Sequence, residues 1–320
     1  MSSNVLPTPL TAGMLLGIGG AHIDRRGQVS GEYAPGASNP GVMREEVGGV
    51  VFNALRNAKQ LGAHCEILSI RGGDSGGDAV ERAIADTGIT DRSAVFLDRV
   101  TASYTALIDR NGDLIVGFAD MELYDLFPKQ LRRLACRAAI NDASALLCDA
   151  NLPAAALKLA LAGPERQRRY AIGISPAKVV RLAGLLDRLT LLFLNRKEAA
   201  ALTGLGVDAP TPEMVAALRV RGLSGGVITD GGATLTGFDA SGVWALQPPP
   251  PQRVADATGA GDALAGATIA ALMRGTELQD AMREGVAAAL LTLETPDVVA
   301  QFDRVILAGA MMRVPQTIAG

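Results

Sequence analysis

The sequence is poor in the residues on which several classes of protein depend. Its 320 residues include only two histidines and three cysteines, and Cys65, Cys136 and Cys148 lack the CxxC or Cys/His spacing of a zinc site. Three scattered thiols also offer no framework of disulfide bonds. We therefore expect a reducing, cytoplasmic location.

Excess positive charge and long apolar runs are lacking as well. The formal net charge is −3 and the one basic cluster, RQRRY, is short, which argues against nucleic acid as a main partner. The first apolar run, near residue 14, follows no basic segment and is too short to cross a membrane. We expect no membrane contact, and we interpret the residues before this run as a flexible tail.

A dinucleotide-binding fingerprint is also missing. GIGGAH, residues 17–22, follows the first apolar run but lacks the last glycine of GxGxxG. A Rossmann dehydrogenase is therefore excluded as an interpretation of this segment.

Short apolar runs alternate with helical patterns along most of the chain. The runs occupy residues 14–20, 64–70 and 189–195, with further runs in ALLCDA, RYAIGI and GGVITDGG. Helical patterns such as that of residues 50–62 separate them. This alternation predicts an α/β fold whose mostly parallel sheet is covered on both faces. We interpret residues 1–320 as a single domain with a sizeable core.

Two segments, about 24–47 and 93–122, break this alternation. They contain turn residues and short β-rich runs, and RNGD in the second is a hairpin signal. We expect them to form a small β-sheet lid inserted in the main domain. The free edges of such a sheet favour pairing with a second lid in a homodimer.

The stretch DATGAGDALAGA, residues 256–267, places glycines and aspartates at the start of a predicted helix. A helix N-terminus exposes unpaired N–H groups, and glycines let a phosphate approach them, so Gly259, Ala260 and Gly261 form a candidate anion hole. Asp262 would repel a phosphate, but it is suited to taking a proton from an alcohol that attacks one. An ordinary helix start fits the spacing equally well.

The same stretch closely resembles the C-terminal signature of the ribokinase-like (PfkB) family of small-molecule kinases, Asp-x-Thr-Gly-Ala-Gly-Asp. The resemblance implies a three-layer α/β sandwich with a small β-sheet lid, and ATP as phosphate donor. It also implies that Asp262 is the general base and that the backbone of Gly259, Ala260 and Gly261 binds the transferred phosphate.

Two further stretches resemble the substrate-binding elements of that family. GGVVFN matches its N-terminal signature, which implies that Gly48 and Gly49 admit the sugar and that Asn53 binds its hydroxyls. Asp24, just beyond the first predicted strand, matches the family's sugar-hydroxyl aspartate, and ligands of open α/β sheets gather at such strand ends. Taken alone, Asn53 also fits an ordinary polar residue in a first helical turn.

The nucleotide and ion sites are implied by three more matches. LNRKEA resembles the family's Asn-x-x-Glu element, so Asn195 and Glu198 would organise Mg²⁺ and its waters, although the same pair fits a helix capping box. TDGG corresponds to the nucleotide loop through Thr229 and Gly231. GVAAALLTLETPDVV corresponds to the helix and loop that flank the adenine, and backbone carbonyls of that loop would bind a monovalent cation such as K⁺ together with Asp256 and Thr258. Thr258 would also contact the nucleotide.

Substrate choice is implied by resemblance to the pseudouridine kinase branch of the family. Ser-Asn-Pro-Gly before the glycine pair, Asp-Met in the lid and CDANLP all match that branch. On this resemblance Asn39 and Tyr104 would approach the uracil ring and Asn151 would contact the substrate, although Tyr104 on a half-buried strand also fits a packing residue. His22 stands where a smaller or amide residue is usual, and Phe52 stands where the branch has arginine. Both departures bear on the fit around the sugar or the base.

The sequence thus predicts an ATP-dependent kinase that phosphorylates the 5′-hydroxyl of pseudouridine. One alternative keeps the fold and changes the substrate to ribose, adenosine or another nucleoside. A second alternative is a sugar- or nucleoside-binding module that has lost catalysis, against which the intact TGAGD argues.

Overall fold

The computed structural model describes residues 13–320, so the tail expected in front of the first strand lies outside the described residues. The strands of the described residues are β1 (Met14–Ile18), β2 (His22–Val29), β3 (Gly41–Gly48), β4 (His64–Leu68), β5 (Ile70–Gly72), β6 (Thr90–Asp91), β7 (Ala94–Phe96), β8 (Ser103–Ile108), β9 (Leu114–Asp120), β10 (Ala145–Asp149), β11 (Arg168–Ile172), β12 (Leu191–Asn195), β13 (Gly226–Thr229), β14 (Leu235–Phe238), β15 (Val243–Leu246) and β16 (Ile318–Ala319). The α-helices are α1 (Val50–Gln60), α2 (Ser75–Thr87), α3 (Phe127–Leu131), α4 (Leu134–Asp142), α5 (Ala154–Ala160), α6 (Pro176–Val179), α7 (Arg196–Thr203), α8 (Thr211–Val220), α9 (Ala260–Met273), α10 (Leu278–Leu293) and α11 (Arg304–Met311). Two 3₁₀ helices span Glu122–Leu126 and Val180–Arg188. No helix in this described part of the chain is long and apolar enough to span a bilayer.

The central sheet is mostly parallel, as the alternation of runs and helices predicts. Its order is β16-β15-β14-β13-β12-β11-β10-β1-β4-β6, and the pairs from β13 through β6 are parallel. The apolar runs form these strands because both of their faces are buried. Strands β14, β15 and β16 add an antiparallel edge that the apolar pattern does not reveal.

Helices cover both faces of the sheet and make a three-layer sandwich. Consecutive residues of β1 point to opposite layers: Leu15 joins the core under α1, α2, α9, α10 and α11, whereas Leu16 joins the core under α3, α4, α5, α7 and α8. The free thiols of Cys65, Cys136 and Cys148 are buried in these cores. The α/β sandwich expected from the sequence is therefore confirmed.

A second sheet, which we call the lid, has the order β3-β2-β8-β9. Strands β8 and β9 form the hairpin that was predicted from RNGD, and Gly112 in its turn has a φ of 93°. One part of the expected lid lies elsewhere, since β7 pairs with β5 in a separate two-stranded sheet. Ala94 hydrogen-bonds to Ser69 beside the main sheet, which draws this segment away from the lid.

The fold brings α1 and α9 into close contact beside the lid. Gly266 of α9 lies against the carbonyl oxygen of Ala54 in α1, where any side chain would collide. Because α1 follows the lid strand β3 and α9 follows the glycine-rich turn, this contact brings their N-terminal residues together. The carboxyl ends of the parallel strands open onto the same region.

Candidate active site

The glycine-rich turn caps the N-terminus of α9. Gly259 is the N-cap residue with a φ of 81°, and a side chain on it would collide with the carbonyl oxygen of Val298. The first helical hydrogen bond runs from the Ala263 N–H to the Gly259 carbonyl over 2.8 Å. The N–H groups of Ala260, Gly261 and Asp262 thus have no acceptor within the helix. Such an end of a 14-residue helix is suited to binding an anion.

Asp262 is the third residue of α9 and lies beside this turn. Its Oδ2 accepts a hydrogen bond of 3.0 Å from Nδ2 of Asn53, which is buried in the first turn of α1. The pKa of Asp262 is raised to about 7, mainly by burial and also by the charges of Asp149 and Asp24, against the lowering effect of the Asn53 hydrogen bond. A carboxylate with this pKa is poised to accept a proton near neutral pH.

Asp24, on the cleft face of β2, lies against the glycine pair at the end of β3. A side chain on Gly48 would overlap the Asp24 carboxylate, so any other residue would require Asp24 to move. Gly49 is the N-cap of α1 with a φ of 118°, and it packs against the carbonyl of Gly20. The pair therefore lets the chain pass close to Asp24 and start α1 with Asn53 in its first turn.

His22 and Phe52 have different surroundings. His22 is buried, with Nε2 3.2 Å from Oδ1 of Asp24 and Nδ1 2.9 Å from the hydroxyl of Tyr124. Phe52 is fully buried in the core, and the guanidinium of Arg56 lies 5.5 Å from the centre of its ring. Of the two departures from the branch, His22 is thus the one that touches a predicted substrate residue.

Asp149 is a candidate functional residue that the sequence motifs did not single out. It ends β10 with no exposed surface, and its Oδ2 has no hydrogen-bond partner among the described residues. Its Oδ1 accepts the N–H of Asn151 over 2.7 Å. The pKa of Asp149 is raised to about 6 because the effect of burial exceeds the lowering effects of the Asn151 and Val51 N–H groups and of the charges of His22 and Lys178. The sequence feature that could have identified Asp149 is its place at the carboxyl end of a buried strand, where ligands of such sheets bind.

The three substrate contacts taken from the pseudouridine kinase branch are dispersed. Tyr104 lies opposite Asp24 in the β2–β8 register and lines the same cleft. Asn151 lies next to Asp149 and accepts a hydrogen bond of 2.6 Å from Lys178. The amide of Asn39 makes all three of its hydrogen bonds to the backbone of Ala34 and Ala37 in the lid turn, and none reaches another predicted site residue.

Asn195 and Glu198 form the capping box of α7. Glu198 donates its N–H to Oδ1 of Asn195, and its carboxylate accepts the N–H and Nδ2 of Asn195 over 2.9 and 2.8 Å. Glu198 is buried, which raises its pKa. No group of three acidic, histidine or cysteine side chains surrounds them in the described residues. One carboxylate with spare lone pairs fits an ion that is held by phosphates and water.

The nucleotide residues expected in TDGG follow β13. Thr229 ends that strand and pairs in register with Asn195 at the end of β12. Gly231 has a φ of 57°, and a side chain there would meet open space. The two strand ends thus bring the TDGG loop next to the start of α7.

Asp256 and Thr258 form hydrogen bonds to the lid as well as to each other. The guanidinium of Arg26 in β2 donates to Oδ2 of Asp256, and to the Thr258 hydroxyl over 2.6 Å. A cavity of about 760 Å³ lies between the lid and this loop, and Asp24, Tyr104, Asp256 and Thr258 are among its lining residues. Its size suits a small organic substrate, and it adjoins the turn of α9, although Asp262 and Asn53 are not among its lining residues.

Comparisons with known proteins agree with this arrangement. Pseudouridine kinase of Escherichia coli strain K12 is 28% identical over 251 residues, which cover 77% of this chain and 80% of that protein. A carbohydrate kinase from Agrobacterium tumefaciens is 41% identical and has a TM-score of 0.84, covering 96% of this chain and 100% of that one.

More distant structures share the fold. Arabidopsis thaliana ribokinase, solved with ribose and ATP, is 18% identical with a TM-score of 0.81, covering 94% of this chain and 99% of that one. The family model of the pfkB family carbohydrate kinases matches residues 14–303, which include the lid, both glycine turns and Asp262. The chain therefore belongs to the pfkB family of carbohydrate kinases.

Proposed function

We propose that this protein transfers the γ-phosphoryl group of ATP to the 5′-hydroxyl of pseudouridine. The observation that carries the proposal is Asp262, a carboxylate with a raised pKa that lies between the free N–H groups of a helix N-terminus and the amide of Asn53. A base beside an anion site is the arrangement that phosphoryl transfer to an alcohol requires.

The proposed reaction uses these groups in one displacement. Asp262 accepts the proton of the 5′-hydroxyl while the 5′-oxygen of the acceptor forms a bond to the γ-phosphorus. The bond between the γ-phosphorus and the β–γ bridging oxygen breaks, which releases ADP. The N–H groups at Gly259, Ala260 and Gly261 stabilise the charge on the transferred group. Asp24 and Asn53 hold the ribose hydroxyls, which aligns the attacking oxygen.

Magnesium would act on the nucleotide rather than on the acceptor. When bound, it neutralises charge on the phosphates. Glu198 and Asn195 would orient its waters, and Thr229, Gly231 and Thr258 would contact the nucleotide. This role suits the single carboxylate of the capping box.

Pseudouridine is favoured over other acceptors by two observations. The curated relative at 28% identity is a pseudouridine kinase, and the resemblance to that branch extends through the lid. Asp149 also offers a buried carboxylate oxygen without a partner, which a substrate N–H or O–H group would satisfy. Tyr104 lines the cavity beside Asp24, and Asn151 lines a second cavity next to Asp149.

A panel of acceptors with ATP and Mg²⁺ tests the substrate. We expect kcat/KM for pseudouridine to exceed the values for uridine, adenosine and ribose by at least about tenfold, the discrimination that one matched polar contact provides. Coupled detection of ADP measures each rate. Faster turnover of ribose or adenosine would reject pseudouridine while keeping the kinase assignment. Binding of an acceptor without any ADP release would favour the inactive binding module.

We also propose that the lid forms a homodimer. Met43, Val116 and Phe118 are 56, 48 and 66% exposed on the face of the lid that points away from the cleft. Pairing two lids would bury these side chains and protect the strand edges. Light scattering should give a dimer mass for the wild type and a monomer mass for Phe118→Glu. A monomeric wild type at micromolar concentration would contradict the proposal.

A further inference from the structure

Arg26 connects the lid to the loop that precedes the anion-binding turn. Its guanidinium donates to the Asp256 carboxylate, and to the Thr258 hydroxyl over 2.6 Å, although 230 residues separate Arg26 from Asp256. Asp256 also binds inside its own loop, because Oδ1 accepts the Thr258 N–H over 2.8 Å. Both carboxylate oxygens of Asp256 therefore have a partner.

These contacts bear on the monovalent cation that the family resemblance implies. By that resemblance, backbone carbonyls in residues 285–299 would bind the cation together with Asp256 and Thr258, and these two supply its side-chain contacts. In this structure they already face a cation, the guanidinium, which is permanently charged and forms directed hydrogen bonds. A second cation on the same oxygens would be repelled at short range. The side chains of Asp256 and Thr258 thus fit Arg26 better than they fit a free ion.

Arg26 lies on the same face of β2 as Asp24. Residues two apart on a strand share a face, so Asp24 and Arg26 both point from β2 toward the cleft. Asp24 lies against Gly48 at the proposed sugar site, and Thr258 directly precedes Gly259 of the turn. One strand of the lid therefore contacts both the sugar site and the phosphate site.

We propose that Arg26 is a positioning residue that replaces the monovalent cation of this kinase and couples lid placement to the geometry of the anion-binding turn. This inference rests on the proposed function. Arg26 has no bond-making role in the proposed reaction, although it lines the same cavity as Asp24 and Tyr104. It acts through Asp256 and Thr258, whose position sets the start of α9.

The contact lies in a charged part of the cleft face. Asp24 and Glu46 lie opposite each other in the β2–β3 register, and Arg44 lies opposite Arg26. The lid thus presents two carboxylates and then two guanidiniums along the cleft face. Arg26 and Asp256 are 35 and 19% exposed, so their ion pair is partly shielded from water. A surface ion pair that is still partly exposed adds little to the free energy of unfolding. Its loss should therefore lower the rate of the reaction rather than the melting temperature.

The test compares Arg26→Gln with Arg25→Gln on the same strand. Arg25 points to the opposite face and pairs with Glu45 over 2.7 Å within the lid, so its replacement removes an equal charge without touching the loop. We expect the wild-type kcat to stay within about twofold when Na⁺, K⁺ or tetramethylammonium is the only monovalent cation. Arg26→Gln should lower kcat about 10- to 100-fold, the size expected from misplacing a catalytic element.

Rescue separates a cation role from a general defect. Low, non-denaturing concentrations of guanidinium, and K⁺ in place of tetramethylammonium, should restore part of the Arg26→Gln rate and leave Arg25→Gln unchanged. A wild-type enzyme that requires K⁺ would overturn the proposal. So would equal rates for Arg26→Gln and Arg25→Gln.

Hydrogen exchange provides a readout that needs no substrate. Arg26→Gln should speed exchange in both the β2–β3 peptide and the peptide of residues 253–262, whereas Arg25→Gln should not affect residues 253–262. Unchanged exchange at residues 253–262 in Arg26→Gln would overturn the coupling. If the wild type phosphorylates none of the acceptors, the proposed function fails, and the exchange data still decide whether Arg26 orders the loop.

Discussion

Asp262→Asn is expected to lower kcat by about 10²- to 10⁴-fold and to leave acceptor binding nearly unchanged. The substitution keeps the shape of the side chain and an oxygen that can accept the hydrogen bond from Asn53. It removes the negative charge of the side chain and, with it, the ability to take the hydroxyl proton. Steady-state rates and calorimetric binding of the acceptor measure the two effects separately.

Asp280→Asn provides the matched control for this substitution. Asp280 is the third residue of α10, as Asp262 is of α9, and it is exposed. Its replacement removes an acidic group from the same helical position, away from the cleft. A loss of less than tenfold for Asp262→Asn, or an equal loss for Asp280→Asn, would mean that Asp262 is not the base.

The raised pKa of Asp262 adds a dependence on pH. Because a base must be unprotonated, kcat/KM should fall as pH decreases below about 7, and this limb should be absent from the residual activity of Asp262→Asn. The pKa is higher in the folded protein than the ordinary value of 3.8, so the group favours folding most at low pH, and this contribution is lost as pH rises through about 7. Asp262→Asn should therefore stabilise the protein by about 1–3 kcal/mol at pH 8 and have little effect near pH 4.

Gly261→Ala should abolish most phosphoryl transfer without destabilising the protein. Gly261 is the second residue of α9, and an added Cβ meets no heavy atom within 4 Å in the structure. Alanine suits a helix better than glycine does, so the unfolding free energy should stay equal or rise by up to about 1 kcal/mol. The new methyl group would project into the space that a phosphate must enter. We expect kcat/KM for ATP to fall by about 10²- to 10³-fold, the loss typical of a blocked oxyanion site.

Gly309→Ala controls for the gain in helix propensity. Gly309 lies within α11, where an added Cβ also meets nothing within 4 Å. Thermal melting should show a similar change in stability for both variants, and only Gly261→Ala should lose activity. A fully active Gly261→Ala enzyme would show that the phosphate does not bind against this turn.

Much of the fold follows from local sequence patterns. The central parallel strands are continuous apolar runs, because burial on both faces demands it, and they were predicted from that feature alone. Strands β14, β15 and β16 were not predicted, because they are short, lie at an edge of the sheet and mix polar with apolar residues. The pairing of β7 with β5 depends on contacts made in three dimensions, which no local pattern records.

Some residues of the candidate site could be predicted from the sequence and others could not. Gly259, Gly261 and Asp262 belong to one short motif with a mechanism, and that motif could be found in the sequence. Asp149 looked like an ordinary end of a strand, and only its burial and its unpaired oxygen mark it. Arg26 lies in a segment with no distinctive motif, and its contact with Asp256 depends on how the lid closes on the main domain.

The position of the phosphate on the product tests the central claim most directly. The enzyme is incubated with ATP, Mg²⁺ and pseudouridine, and the product is examined by phosphorus–proton correlation NMR with ADP measured in parallel. We predict one equivalent of ADP for each phosphorylated nucleoside and coupling of the new phosphorus to the two 5′ protons. ADP without a phosphorylated acceptor, or coupling to the 2′ or 3′ proton, would contradict the account.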